Sequence, residues 1–191
     1  MICVFAGSAR RVPAADLALA GRVGHALAAS GTPVVYGGGS TGCMGALADA
    51  VLADGGRVIG VVPRNLFDRE EVHEAVDLVE VDSLHERKQV MLDLADAFVV
   101  LPGGLGTLDE VGEVLTWAQL GIHAKPTVFL DPDGYWNGLL AWIDAAVIQG
   151  YVAPTSRDFY AVVGAADDVL AAIAAFTPPP ATRGPLTREQ T

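Results

Sequence analysis

A chain of 191 residues, 51% of them hydrophobic and 18% charged, has room for one domain with a large core and too little for two. A formal net charge of -11 argues against nucleic acid or an anionic membrane as partner, since both need a basic face. Two cysteines, Cys3 and Cys43, give neither a disulfide framework nor metal-ligand spacing, so a reducing compartment and no structural metal are expected. Met1 runs into an apolar stretch without a basic segment before it, and no apolar run approaches the roughly 18 residues that cross a bilayer. The expected location is cytoplasmic.

Short β-branched runs alternate with Ala- and Leu-rich stretches, the rhythm of βαβ units on a parallel sheet. In chain order the pattern predicts strand 2–6, helix 13–30, strand 33–36, helix 43–54 and strand 57–62. Residues 64–76 are charged and weakly periodic and read as a loop or short helix able to cover a site. Strand 78–81, helix 83–95, strand 97–101, helix 107–120, strand 127–130, helix 136–149, strand 159–163 and helix 166–175 follow. Beyond Phe176, the prolines at 178, 179, 180 and 185 predict a disordered tail over 177–191. That leaves a single α/β domain over 1–176.

Ligands of open parallel sheets bind beyond the carboxyl ends of the strands. Three such ends here are rich in small residues: Ala6-Gly7-Ser8-Ala9, Gly37-Gly38-Gly39-Ser40-Thr41-Gly42, and Pro102-Gly103-Gly104-Leu105-Gly106-Thr107. Gly37, Gly39 and Gly42 satisfy the G-x-G-x-x-G spacing of dinucleotide binding. The ribose-holding acid that should end the next strand is missing, however, because that strand closes on Pro63-Arg64. NAD binding is the weaker reading. In the third segment the glycines free backbone amides ahead of a helix, where the dipole favours an anion. Thr107-Leu108-Asp109-Glu110 also spells a capping box, with Thr107 at the N-cap. Glu110 therefore reads equally as a helix cap or as a carboxylate roughly 4–5 Å along the axis, beside the ribose of a nucleotide whose phosphate sits at the cap.

Ser83-Leu84-His85-Glu86 spells a second capping box. The helix it opens carries an apolar stripe of Leu84, Met91, Leu94 and Ala95, and Arg87 and Lys88 fall inside that stripe. Charges there either snorkel outward or line a cleft, and two adjacent cations before a phosphate loop favour the cleft. A pyridoxal-phosphate decarboxylase would have to use Lys88 or Lys125, the only lysines, and Lys125 precedes Pro126 at a strand start. His25, His73, His85 and His123 form no catalytic order and read as structural, with His123 favoured by the dipole at a helix C-terminus.

Arg87-Lys88-x-x-Met91, Leu101-Pro102-Gly103-Gly104-x-Gly106-Thr107-x-x-Glu110 and Thr116-Trp117-Ala118-Gln119-Leu120-Gly121-Ile122-His123 resemble the LONELY GUY family of cytokinin riboside 5′-monophosphate phosphoribohydrolases, which are often mislabelled lysine decarboxylases. The likeness runs from Cys3-Val4-Phe5-x-Gly7-Ser8 through Tyr36-Gly37-Gly38-Gly39 and Met44-Gly45 to Asp131-x-x-Gly134-Tyr135, nearly all of the chain but the tail. It implies a Rossmann-like doubly wound sheet, a homodimer, and no metal or redox cofactor. It implies Arg87 and Glu110 as the catalytic pair and Lys88 and Thr116 as substrate-binding residues. It implies that residues 104–110 wrap the nucleotide, which adds Gly104, Leu105, Gly106, Thr107, Leu108 and Asp109. Glu70 corresponds to a substrate-binding glutamate, although the stretch 68–77 is shorter than in the family. The small-residue strand ends and the matched Met44 add Gly7, Ser8, Gly38, Gly39, Met44 and Gly103. Two departures stand out: Asp109 replaces the usual plant Glu, and Ala9 replaces a frequent second Ser. The implied reaction splits a nucleoside 5′-monophosphate, a cytokinin nucleotide or AMP, into free base and ribose 5-phosphate. Glu110 would face the ribosyl cation, and Arg87 either the phosphate or the departing base. The competing class is a non-catalytic nucleotide or cofactor carrier of the same fold, for which Glu110 opposite Arg87 has no use.

Overall fold

The structure of the chain is a computed structural model that describes residues 1–66 and 71–180. Seven strands form one parallel sheet: β1 (Ile2–Phe5), β2 (Val34–Tyr36), β3 (Val58–Pro63), β4 (Asp77–Val81), β5 (Ala97–Val100), β6 (Thr127–Leu130) and β7 (Ala161–Val163). Their order is β4-β3-β2-β1-β5-β6-β7. Among the described residues, six α-helices accompany them: α1 (Ala14–Ala29), α2 (Gly42–Ala53), α3 (Leu84–Leu94), α4 (Leu105–Gln119), α5 (Asn137–Ile148) and α6 (Val169–Ala175). The chain winds outward from β1 to β4, then returns to place β5 on the other side of β1. The order therefore reverses between β1 and β5, where Cys3 pairs both Val35 and Phe98. Such a switch point opens a crevice at the carboxyl ends.

Strand alternation sorts the core into two layers. Ile2, Val4 and Ala6 face a cluster with Leu19, Val23, Leu47, Val51 and Val169 from α1, α2 and α6. Cys3 and Phe5 face the opposite cluster, with Met91, Leu92, Val111, Val114 and Trp136 from the side of α3, α4 and α5. Both faces of the central strands are thus buried, which is why those strands read as unbroken apolar runs. The edge strand β4 is different. Asp77 and Glu80 carry ion pairs to Arg57 and Arg64, and charge on an edge discourages pairing with another chain.

Every predicted strand and helix is present, with shifted ends. Of residues 159–160, expected in the last strand, Phe159 ends the 3-10 segment Pro154–Phe159 and Tyr160 is an extended residue outside the sheet, so β7 begins at Ala161. The segment after β3 starts with a 3-10 turn, Arg64–Leu66. Its far end is strapped to the second glycine loop: Val72 bridges Gly39, Ser40 N–H donates to the Glu71 carbonyl at 2.8 Å, and His73 N–H donates to the Gly38 carbonyl at 2.9 Å. Glu70 lies outside the described residues. So does most of the predicted tail, of which 177–180 carry no helix or strand. No helix among the described residues is long and apolar enough to cross a membrane.

Candidate active site

A cavity of about 290 Å³ opens at the switch point, between the end of β1 and the start of α4. Gly7, Ser8, Met44, Arg87, Gly104, Leu105, Gly106, Thr107 and Glu110 line it, with Ala6 and Ala9, which sequence reasoning had left as mere neighbours of Gly7 and Ser8.

Arg87 comes from α3. The capping box at its start forms: Ser83 Oγ accepts from Glu86 N–H at 3.1 Å, and the Glu86 carboxylate accepts from Asp82 N–H at 2.6 Å. The predicted stripe is corrected, because Leu84 is 53% exposed while Arg87 is only 6% exposed. The arginine, not the leucine, takes the inward position. Its Nη2 donates to the Gly37 carbonyl at 2.8 Å. A Cβ at Gly37 would collide with that guanidinium, so the glycine is what admits the arginine. Arg87 Nε–H has no hydrogen-bond partner among the described residues. A buried cation with an open donor is costly unless a ligand satisfies it.

Glu110 comes from α4 and is 7% exposed. The predicted capping box at Thr107 is not formed. Helix α4 begins at Leu105 with Gly104 as N-cap and no side-chain cap. Thr107 is buried instead, with its side chain under Gly103, where a Cβ would strike it. Glu110 thus lies in the second turn, past the reach of a cap. The first amides of the helix have no carbonyl a turn earlier to meet. With no side chain capping them, they form a positive end facing the cavity. Cys3, buried in β1, feels both charged groups. Burial pushes its thiol well above the ordinary value, Glu110 pushes it further, and Arg87 draws it back.

Other predicted site residues lie elsewhere in the single chain. Lys88 Nζ reaches Asp109 at 3.0 Å and Glu113 at 3.1 Å, tying α3 to α4 beside the cavity. Burial pulls its ammonium pKa down, but hydrogen bonds and charge from both carboxylates hold it above the usual value. Gly38 and Gly39 carry the strap from 71–73, and Gly103 and Leu108 face a second, apolar recess on the far side of the loop. Thr116 is exposed, and its hydroxyl donates to the Gly112 carbonyl at 2.7 Å. It borders a groove between α4 and α5, not the Glu110 cavity. His123 is also corrected. It falls beyond the end of α4, its ring bonds the Val114 carbonyl at 2.9 Å, and burial lowers its pKa to about 4, so it is a neutral tie and not a cation on the dipole.

Sequence comparison gives the chain its family. A family model described as "Possible lysine decarboxylase" matches residues 44–173. A probable cytokinin riboside 5′-monophosphate phosphoribohydrolase of Oryza sativa subsp. japonica is 45% identical over 180 residues, covering 94% of this chain and 73% of that protein. The cytokinin riboside 5′-monophosphate phosphoribohydrolase of Mycobacterium tuberculosis is 46% identical over 159 residues, covering 83% and 85%. The chain belongs to the LONELY GUY family. Its fold is wider than the family: the molybdenum cofactor binding protein of Rippkaea orientalis superposes with a TM-score of 0.69 at 22% identity, over 91% of this chain and 95% of that one. Within this LONELY GUY chain, Arg87, Glu110 and residues 104–107 meet in one cavity, whereas Lys88, Asp109 and Thr116 do not line it. Tyr135 O–H donates to the Gly103 carbonyl at 2.6 Å, a tie the sequence analysis missed. Only the Asp131-x-x-Gly134-Tyr135 spacing hinted at it.

Proposed function

We propose that the chain hydrolyses the N-glycosidic bond of nucleoside 5′-monophosphates, those of cytokinin ribosides and AMP, to free base and ribose 5-phosphate. One observation carries the reading: two buried opposite charges, Arg87 and Glu110, line the same cavity as an uncapped helix N-terminus. The names of the Oryza and Mycobacterium relatives support it. The phosphate binds the α4 amides, which leaves the ribose beside Glu110. The bond from C1′ to the base nitrogen breaks, and its electron pair leaves with the base. Positive charge develops on the ribosyl ring against the Glu110 carboxylate. Water adds to C1′, and the proton it loses passes through the carboxylate to the departing base. Arg87 supplies the balancing positive charge, to the phosphate or to the base.

A lysine-dependent decarboxylation finds little support here. Lys88 is held by two carboxylates and Lys125 Nζ donates to the Leu92 carbonyl at 2.6 Å, and neither lines the cavity. In this reading residues 1–176 form the catalytic unit of a cytoplasmic homodimer. The test is to incubate the protein, with chelator present, with AMP, isopentenyl-adenosine monophosphate and adenosine. Free base is expected from both monophosphates and at least about a hundredfold less efficiently from adenosine, given the loss of charge-assisted phosphate contacts. Equal efficiency on adenosine and AMP, or no base from any of the three, would refute it.

A further inference from the structure

Tyr135 is 55% exposed, so burial does little to fix it. It is nonetheless held from several sides. Asp131, just beyond β6, accepts from Tyr135 N–H at 2.7 Å with one carboxylate oxygen and from Trp136 N–H at 3.0 Å with the other. Gly134 makes the turn at φ 76°, a value that favours glycine. The Tyr135 ring stands edge-on to Trp136 at 5.0 Å, and the buried Trp136 packs in turn on Phe129 at 5.7 Å. The result is a side chain whose hydroxyl is aimed, and it donates to the Gly103 carbonyl at 2.6 Å.

Three successive carbonyls of the loop are each taken by a donor. Pro102 accepts from Gly7 N–H at 3.1 Å, Gly103 from Tyr135, and Gly104 from Leu108 N–H at 3.0 Å. Only the middle one depends on a side chain. It is also the one between two glycines, where the peptide can flip with little steric resistance. In a trans peptide the C=O and the following N–H point opposite ways, and none of the described peptides is cis. Gly103 and Tyr135 face the apolar recess behind the loop, while Gly104 also lines the Glu110 cavity in front.

We propose that Tyr135 is a positioning residue for the anion site: its hydroxyl holds the Gly103 carbonyl to the rear and so keeps the Gly104 amide turned toward the substrate phosphate. This rests on the reading of that cavity as a 5′-monophosphate site. Without the hydroxyl, the Gly103–Gly104 peptide samples the flipped state, which presents a carbonyl oxygen to the phosphate.

The test is Tyr135→Phe, which keeps the ring on Trp136 and removes one O–H. Initial rates with AMP, affinity for ribose 5-phosphate as a probe without a base, and thermal midpoints are measured for both proteins. The expected result is KM for AMP and Kd for ribose 5-phosphate each raised about five- to thirtyfold, with kcat within about twofold and the thermal midpoint unmoved. Unchanged KM and Kd, or a fall confined to kcat, would overturn the inference while leaving the hydrolase reading intact. A parent protein that binds no ribose 5-phosphate and cleaves no AMP would overturn both.

Discussion

Glu110 in the second turn of α4 is too far from the helix start to cap it, yet it is almost fully buried. A buried carboxylate that does not serve the helix needs another reason to be there. Glu110→Gln tests it, since the change is nearly isosteric and removes only the charge. Stability is expected to change little, because glutamine keeps the shape and the hydrogen-bonding capacity of the side chain. The expected loss falls on kcat, about a hundredfold or more, with KM nearly unchanged, because the charge matters only once the ribose becomes cationic. AMP hydrolysis by the Gln variant at the parental rate would leave Glu110 without a catalytic role and favour a carrier. The sequence showed this pair through Arg87 falling at an inward position and Glu110 following a glycine loop. It misassigned Thr107, because T-x-x-E is also a capping signal and three glycines do not locally determine where a helix starts. Packing of Thr107 under Gly103 decides that, and it is a contact no spacing rule contains. Leu84 failed similarly: its side chain faces outward in the first turn, while the cavity draws Arg87 in.

At the scale of elements, burial made the fold legible. Strands covered on both faces are continuous apolar runs, and the helices between them are Ala- and Leu-rich, so every strand and α-helix was identifiable though not every boundary, and the 3-10 segment Pro154–Phe159 was not. Features made by distant residues were not legible: the Gly39–Val72 bridge, the Lys88 tie between α3 and α4, and His123. The His123 tie joins the loop before β6 to α4. Its Nδ1 accepts from Lys125 N–H at 3.1 Å and its other nitrogen meets the Val114 carbonyl. Burial, with a smaller contribution from Lys125, lowers its pKa from 6.5 to about 4 against the opposing Val114 hydrogen bond. The unfolded chain therefore takes up the proton first. The stability this neutral ring contributes is complete above about pH 6.5 and is lost as pH falls toward about 4. Urea midpoints of the parent and of His123→Gln between pH 7.5 and 4.5 should show it. The parent is expected to decline more steeply than the variant, which lacks the titrating group, and equal slopes would contradict the account.

At the scale of the molecule, the face built by α4 and α5 is too apolar for a surface left in water. Leu105 is 84% exposed and Trp142 64% exposed, and Leu108 and Tyr135 are exposed with them. Val111, on the same helix, belongs to the core instead. The apolar recess behind the phosphate loop and the groove of about 220 Å³ between α4 and α5 share Leu108 and Leu139, so the surface is continuous. Patches of this kind often mark interfaces, and the proposed homodimer would cover the same patch on both copies. Thr116 borders this groove and faces away from its own chain's Glu110 cavity. If it contacts substrate, as the family resemblance implies, it does so across that interface. Trp142→Glu puts a charge in the middle of the face without touching the catalytic cavity. Light scattering at micromolar concentration is expected to give twice the chain mass for the parent and a single-chain mass for the variant, since losing a central aromatic anchor costs about 2 kcal/mol or more of association. Far-ultraviolet circular dichroism should remain that of the parent, because Trp142 is not part of the core. AMP hydrolysis should fall together with the dimer and recover partly as protein concentration rises. A parent of single-chain mass, or a monomeric variant with full activity at every concentration, would show that each chain completes its own site.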